Sequence, residues 1–184
     1  MAASESEVMT LRELVALAYG NLAMAHYAVT HGDKQYSKTA YMIRAKLTRG
    51  LRYGSMAMGS VLADEKLKFH NGAQCSYCGC TEQIVLDHLI PGAAGGRDTG
   101  DNLLPACKRC NSSKGSKDFL RWYQARGEFP PLMVLRRYLK VLVITAETAG
   151  VMDYPVDSDG VREVPFAIEA IPVTCFPLPD LLRL

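Results

Sequence analysis

Two cysteine pairs, Cys75-Ser-Tyr-Cys78 and Cys107-Lys-Arg-Cys110, constrain this chain more than any other feature. A two-residue spacer lets both thiolates of a pair turn toward one ion, and Gly79 after the first pair permits the tight backbone a knuckle needs. The second pair follows after 28 intervening residues, and two such knuckles complete a tetrahedral four-thiolate site. A closed site of this kind has no open coordination position, so the expected ion is a structural Zn2+. Cys80 could replace Cys78 only by breaking the two-residue spacing and is read as a bystander, while Cys175 is read as a small apolar residue. Disulfides are the competing use of six cysteines. The acidic start, Met1-Ala-Ala-Ser-Glu-Ser-Glu, lacks the regions of a secretory signal, so a reducing, cytoplasmic setting and a metal site are expected instead.

At 184 residues the expectation is one domain with an appended arm. Hydrophobic residues at 48% and charged residues at 22% argue against wholesale disorder. No apolar run approaches the roughly 18 to 20 residues of a membrane span, so no membrane partner is expected. The formal net charge of +2 does not by itself imply nucleic acid, and four thiolates with one Zn2+ would bring it to about zero. Against that background, Lys34 to Ala63 holds Lys34, Lys38, Arg44, Lys46, Arg49 and Arg52 and no acidic residue. Such a segment is the footprint of phosphate contact; a solvated helix face would look the same.

Four zones are expected. Residues 1–69 read as a helical hairpin. Leu11, Leu14, Val15, Ala18, Leu22, Ala25 and Val29 recur at helical spacing behind a Thr10/Glu13 capping box, and His31-Gly32-Asp33 ends that helix. In a second amphipathic stretch Tyr36, Ala40, Ile43, Leu47, Leu51, Met58, Val61 and Leu62 face one way, with Lys38, Arg49 and Arg52 opposite and Lys46 flanking them. Arg44 falls on the apolar side, and Gly54 and Gly59 mark a kink or a close helix contact. Residues 70–118 hold the cysteines and the chemistry. Residues 119–150 read as a short helix to Arg126 and a second one opened by Pro130-Pro131 and stopped by Gly150. The second carries a stripe of Leu132, Leu135, Leu139, Leu142, Val143 and Ala146, with Arg136, Arg137 and Lys140 off it. Residues 151–184 carry five prolines and read as an extended tail, wrapping a partner or loose.

Between the knuckles run Asp87-His88-Leu-Ile-Pro91, a loop with Gly95-Gly96, Asn102-Leu103, and then Cys107-Lys-Arg-Cys110-Asn111-Ser-Ser-Lys114-Gly115. A zinc ribbon needs none of Asp87, His88, Asn102 or Asn111. This pattern resembles the HNH nuclease family, the ββα-metal fold, over about 40 residues from Cys75 to Gly115. The resemblance implies an α+β fold: a zinc-stapled ββα-metal core flanked by the N-terminal hairpin, the C-terminal helices and the extended tail. It implies His88 as the general base that takes a proton from water, a task suited to imidazole near neutrality. It also implies Asp87 and Asn111 as ligands of a catalytic Mg2+ or Mn2+, and Asn102 as the residue that ties the loop and orients the base. Because Val85-Leu-Asp87-His88 reads as a strand, Asp87 and His88 point to opposite faces unless the backbone bends or the site wraps the strand end. Arg109 and Lys114 are candidates for phosphate contact.

The expected function is hydrolysis of DNA phosphodiester bonds, leaving 5′-phosphate and 3′-hydroxyl ends as the resemblance implies. One site cuts one strand, so a nickase or a homodimer is expected. The first helix, apolar nearly all round with Leu17, Met24 and Tyr27 off its main stripe, offers a dimer surface. Lys38, Lys46, Arg49 and Arg52, together with the Arg136-Arg137-Lys140 cluster, would hold backbone phosphates. Two readings compete: a non-catalytic zinc-ribbon module that binds nucleic acid or protein, and an HNH nuclease acting on RNA.

Overall fold

A computed structural model of the chain describes residues 8–56, 74–174 and 176–184. Met58, Gly59, Val61, Leu62, His70 and Cys175 lie outside the described residues. Helix α1 (Leu11–Thr30) opens with the expected capping box: Thr10 Oγ1 accepts from the Glu13 amide at 3.3 Å, and the Glu13 carboxylate accepts from the Thr10 amide at 3.1 Å. Its off-stripe Met24 is buried along with the stripe up to Ala25, while Val29, Leu17 and Tyr27 are half-buried. The reason is placement. Helix α1 packs against α2 (Lys38–Arg52), against a long C-terminal helix and against the tail, whose Val173 carbonyl accepts from the buried Asn21 amide at 2.7 Å. These contacts within the chain account for the burial of Met24, while Leu17 and Tyr27, the other two residues of the expected dimer surface, stay partly exposed.

The α1–α2 contact is close because of Gly20, where an added Cβ would fall 2.1 Å from Thr48 Oγ1 and 3.1 Å from the Arg44 carbonyl oxygen. Sequence reasoning sought this approach at Gly54 or Gly59. Gly54 instead adopts φ +69° just beyond the end of α2 at Arg52, and the amphipathic positions Met58, Val61 and Leu62 lie outside the described residues.

Strands β1 (Ile84–His88) and β2 (Leu103–Cys107) pair antiparallel, with Ile84 opposite Cys107 and His88 opposite Leu103. Pro105 costs the ladder no bond. Its carbonyl points away from β1 and accepts from the Ser76 amide at 2.8 Å, so its position is one where no amide is required. Helix α3 (Lys108–Lys114) follows directly and packs on both strands, completing the ββα unit.

Asp118 caps α4 (Phe119–Gln124) through bonds of 2.8 and 3.2 Å to the Leu120 and Arg121 amides. Helix α5 (Leu132–Ala149) starts after Pro131 and ends at Gly150 with φ +71°, and its predicted stripe is buried throughout. Two residues off that stripe are buried as well. Arg137 donates to the Leu103 carbonyl at 3.1 Å and Lys140 is 2% exposed, while Arg136 Nε reaches the Tyr19 hydroxyl at 3.2 Å. The expected phosphate-holding cluster therefore does not exist as a surface. Long basic stems pack against apolar neighbours, which a helical wheel does not register.

The tail (151–184) has little regular structure beyond α6 (Asp159–Arg162) and two short 3-10 turns. It wraps its own chain. The amides of Leu11 and Arg12 donate to the carbonyls of Tyr154 and Met152 at 3.0 and 2.7 Å, and Phe166, Ile168, Ile171 and Leu182 are buried. One apolar cluster joins α1, α5, the tail and the cysteine knuckles, so the ββα unit is held from behind by the whole fold.

Candidate functional site

The two knuckles converge. A tetrahedron of Zn–S bonds near ~2.3 Å has S···S edges of ~3.8 Å. The Sγ atoms of Cys78 and Cys107 are 3.8 Å apart, and those of Cys75, Cys78, Cys107 and Cys110 all lie within 4.8 Å of one another. The donor set is four soft sulfurs, which suits Zn2+. The Cys110 amide, at 3.4 Å, donates to Cys107 Sγ and lowers that thiol to about 7, whereas burial pushes Cys75 and Cys110 upward. Cys80 stays outside the cluster, where its sulfur accepts from the Glu82 amide at 3.3 Å.

Asp87 projects inward from β1 and is 5% exposed, so its carboxylate must be satisfied by the protein. Two groups do this. The Tyr77 hydroxyl donates to Asp87 Oδ2 at 2.6 Å. The ammonium of Lys114, itself 0% exposed, lies 3.4 Å from Oδ1 and 3.2 Å from Oδ2 and also donates to the His88 carbonyl at 2.6 Å. Lys114 was expected at the surface for phosphate contact; it is instead an interior counter-charge. The Lys114 ammonium therefore already neutralises the Asp87 carboxylate, and a divalent cation would bind there by displacing it. Asn111 lies three residues before Lys114 on α3, a spacing that puts both on one face of the helix. An aspartate and an asparagine supply the hard oxygens that Mg2+ or Mn2+ prefers.

His88, at the end of β1, is half-exposed, as strand alternation from buried Asp87 requires. Its Nε2 lies 3.3 Å from the exposed carboxylate of Asp98, on the loop that joins the strands. Asn102 holds that loop. Its Oδ1 accepts from the Ile90 amide at 2.7 Å, and its Nδ2 donates to the carbonyls of Ile90 at 2.9 Å and Arg97 at 3.0 Å. Its backbone carbonyl accepts from the Leu89 amide at 2.7 Å, immediately after His88. The expected tying function of Asn102 thus has a full set of bonds behind it. Gly96 makes room for them, because a Cβ there would lie 1.8 Å from the Ile90 carbonyl oxygen.

Of the remaining expected nucleic-acid contacts, Arg109 is exposed on α3. Lys38, Lys46, Arg49 and Arg52 are exposed on α2, with Arg52 paired to Glu13. Arg44, Arg49 and Arg52 line a groove of about 470 Å3 between α1 and α2, together with Tyr41 and Tyr53. Sequence reasoning missed Tyr77, Asp98 and Gly96. Tyr77 carried no signal beyond its place between two cysteines. Asp98 and Gly96 sat in a loop whose composition announced a turn and nothing more.

Residues 75–117 match the family model described as HNH endonuclease. The chain is similar to a CRISPR-associated endonuclease Cas9 of Actinomyces naeslundii, 35% identical over 78 residues, 40% of this chain and 7% of that protein. It is also similar to a CRISPR-associated endonuclease Cas9 of Corynebacterium diphtheriae, 42% identical over 53 residues, 27% of this chain and 5% of that protein. The chain therefore spans only a small fraction of the curated relatives it matches. No solved structure matches it significantly. No helix among the described residues is long and apolar enough to cross a membrane.

Proposed function

We propose, taking the HNH endonuclease match of residues 75–117 as premise, that this chain is a metal-dependent nuclease that hydrolyses DNA phosphodiester bonds one strand at a time. The observation that carries the reading is the buried Asp87 carboxylate facing a cation across the β1–α3 junction, beside the strand end that presents His88. In this reading His88 accepts the proton of the attacking water through its half-exposed ring. Asp87 and Asn111 would hold a Mg2+ or Mn2+, which supplies charge stabilisation at the scissile phosphate and the departing 3′ oxygen. Asn102 keeps the β1–β2 loop closed and so fixes the backbone just after His88. Zn2+ on Cys75, Cys78, Cys107 and Cys110 staples β2 and α3 to the first knuckle and takes no part in the reaction. Lys38, Lys46, Arg49 and Arg52 of α2 and Arg109 of α3 contact the phosphates flanking the cut.

Plasmid incubated with the zinc-loaded protein and Mg2+ or Mn2+ tests this, beside a His88→Ala variant and a chelator control. Relaxation of supercoils by the parent alone, suppressed by chelator, is the expected result. Relaxation by both proteins, or by neither, would overturn the assignment, and binding without cutting would favour the zinc-ribbon reading. Matched single-stranded, duplex and RNA substrates then decide between DNA and RNA.

A further inference from the structure

The first knuckle and the Asp87 carboxylate are joined by one side chain. Tyr77 lies between Cys75 and Cys78, so a metal on the four sulfurs fixes its backbone from both sides. Its carbonyl accepts from the Tyr123 hydroxyl at 3.0 Å. Its ring is 2% exposed and packs edge-on to Trp122 with centroids 5.2 Å apart. Only the hydroxyl does polar work, donating to Asp87 Oδ2 at 2.6 Å.

The two oxygens of Asp87 are chemically equivalent, and something must distinguish them if one is to face a metal. Lys114 does not, since its ammonium is 3.4 Å from one and 3.2 Å from the other. Tyr77 does. We propose that Tyr77 is a positioning residue that carries the rigidity of the four-cysteine knuckle to Asp87 and sets the rotation of its carboxylate for a divalent cation. The inference rests on the reading in which Asp87 is a ligand of that cation. Without the hydroxyl, Oδ2 stays buried and turns toward the nearest remaining donor, Lys114, so both oxygens are drawn away from a second cation. Loss of such an outer-shell partner weakens metal binding by about 10–100-fold.

The test uses zinc-loaded full-length protein and reads Mn2+ binding by electron paramagnetic resonance, alongside zinc content and nicking rate as a function of Mn2+. For Tyr77→Phe the expectation is full zinc content, Mn2+ affinity reduced by about tenfold or more, and nicking restored at high Mn2+. Tyr123→Phe removes the bond to the Tyr77 carbonyl but leaves the phenol of Tyr77, so its Mn2+ affinity stays near that of the parent. Parent-like Mn2+ affinity in Tyr77→Phe would overturn the proposal. Loss of zinc in step with Mn2+ would also overturn it, by making Tyr77 part of the scaffold only. Asp87→Asn separates the two levels. If it binds Mn2+ like the parent, Asp87 is no ligand and the positioning role falls. If Asp87→Asn and Tyr77→Phe both weaken Mn2+ while the parent cuts nothing, the nuclease reading falls and the positioning role stands.

Discussion

Gly96→Ala is the most economical perturbation of the loop that joins the two strands. The added methyl would sit 1.8 Å from the Ile90 carbonyl oxygen and 2.8 Å from Asn102 Nδ2. Van der Waals contact between such atoms lies near ~3.5 Å, so the methyl cannot be absorbed by a rotamer change. Either the Ile90 carbonyl moves or the 91–97 segment does. Both routes strain the two Asn102–Ile90 bonds, the Asn102–Arg97 bond and the bond from the Gly96 amide to the Pro91 carbonyl. Losing two to four bonds at about 1 kcal/mol each predicts a destabilisation of roughly 2–4 kcal/mol. For a chain of this size that corresponds to a fall in Tm of roughly 5–15 °C. Asn102→Ala should match or exceed it, because it strands the buried Ile90 amide. The double variant should lose less than the sum, since both changes break the same bonds. Thermal unfolding of the zinc-loaded proteins measures all three. A Gly96→Ala protein within about 0.5 kcal/mol of the parent, or strict additivity with Asn102→Ala, would refute the account of this loop.

Three further outcomes follow from other parts of the molecule. Lys114→Met leaves the buried Asp87 carboxylate without its counter-charge and should cost about 3–5 kcal/mol, while Lys114→Met with Asp87→Asn regains most of it; additive losses in denaturant titrations would count against a coupled pair. Burial raises the phenol of Tyr36 to about 12, and burial also raises those of Tyr123 and Tyr138. Because the unfolded phenol ionises near ~10, their contribution to stability is intact below that pH and is lost as pH rises toward 12; a stability curve flat across this window would contradict it. Charge reversal of the exposed Lys46 and Arg49 should leave stability within about 0.5 kcal/mol of the parent while weakening polynucleotide binding and flattening its salt dependence. Unchanged binding would remove α2 from the nucleic-acid surface.

Legibility in the sequence tracked how local the physics was. The four-thiolate site could be read from spacing because knuckle geometry is decided within four residues, and the Thr10/Glu13 box and the Gly150 stop are local in the same sense. The residues of the HNH pattern were legible as a pattern, yet the environment of Asp87 was not. Lys114 reaches Asp87 only because α3 lies on β1, and Tyr77 reaches it only because the knuckle folds over the sheet. Helical wheels placed Arg137 and Lys140 outside the apolar stripe correctly, but they could not reveal that Arg137 reaches the Leu103 carbonyl of β2 or that Lys140 is enclosed by the fold. Helix α1 taught the converse. Its apolarity beyond a single stripe was plain in the sequence, and its own chain covers the stripe and Met24 but leaves Leu17 and Tyr27 half-buried.

The central claim is that one metal clamps the scaffold while a second, hard cation is held separately beside His88. Anomalous diffraction from crystals of the zinc-loaded protein soaked in Mn2+ measures this most directly, with data at both absorption edges. The account predicts a zinc peak enclosed by the sulfurs of Cys75, Cys78, Cys107 and Cys110, and a distinct manganese peak between Asp87 and Asn111, with the Lys114 ammonium displaced from the carboxylate. A map with zinc at the cysteines, no manganese at Asp87 and Lys114 still in place would contradict it.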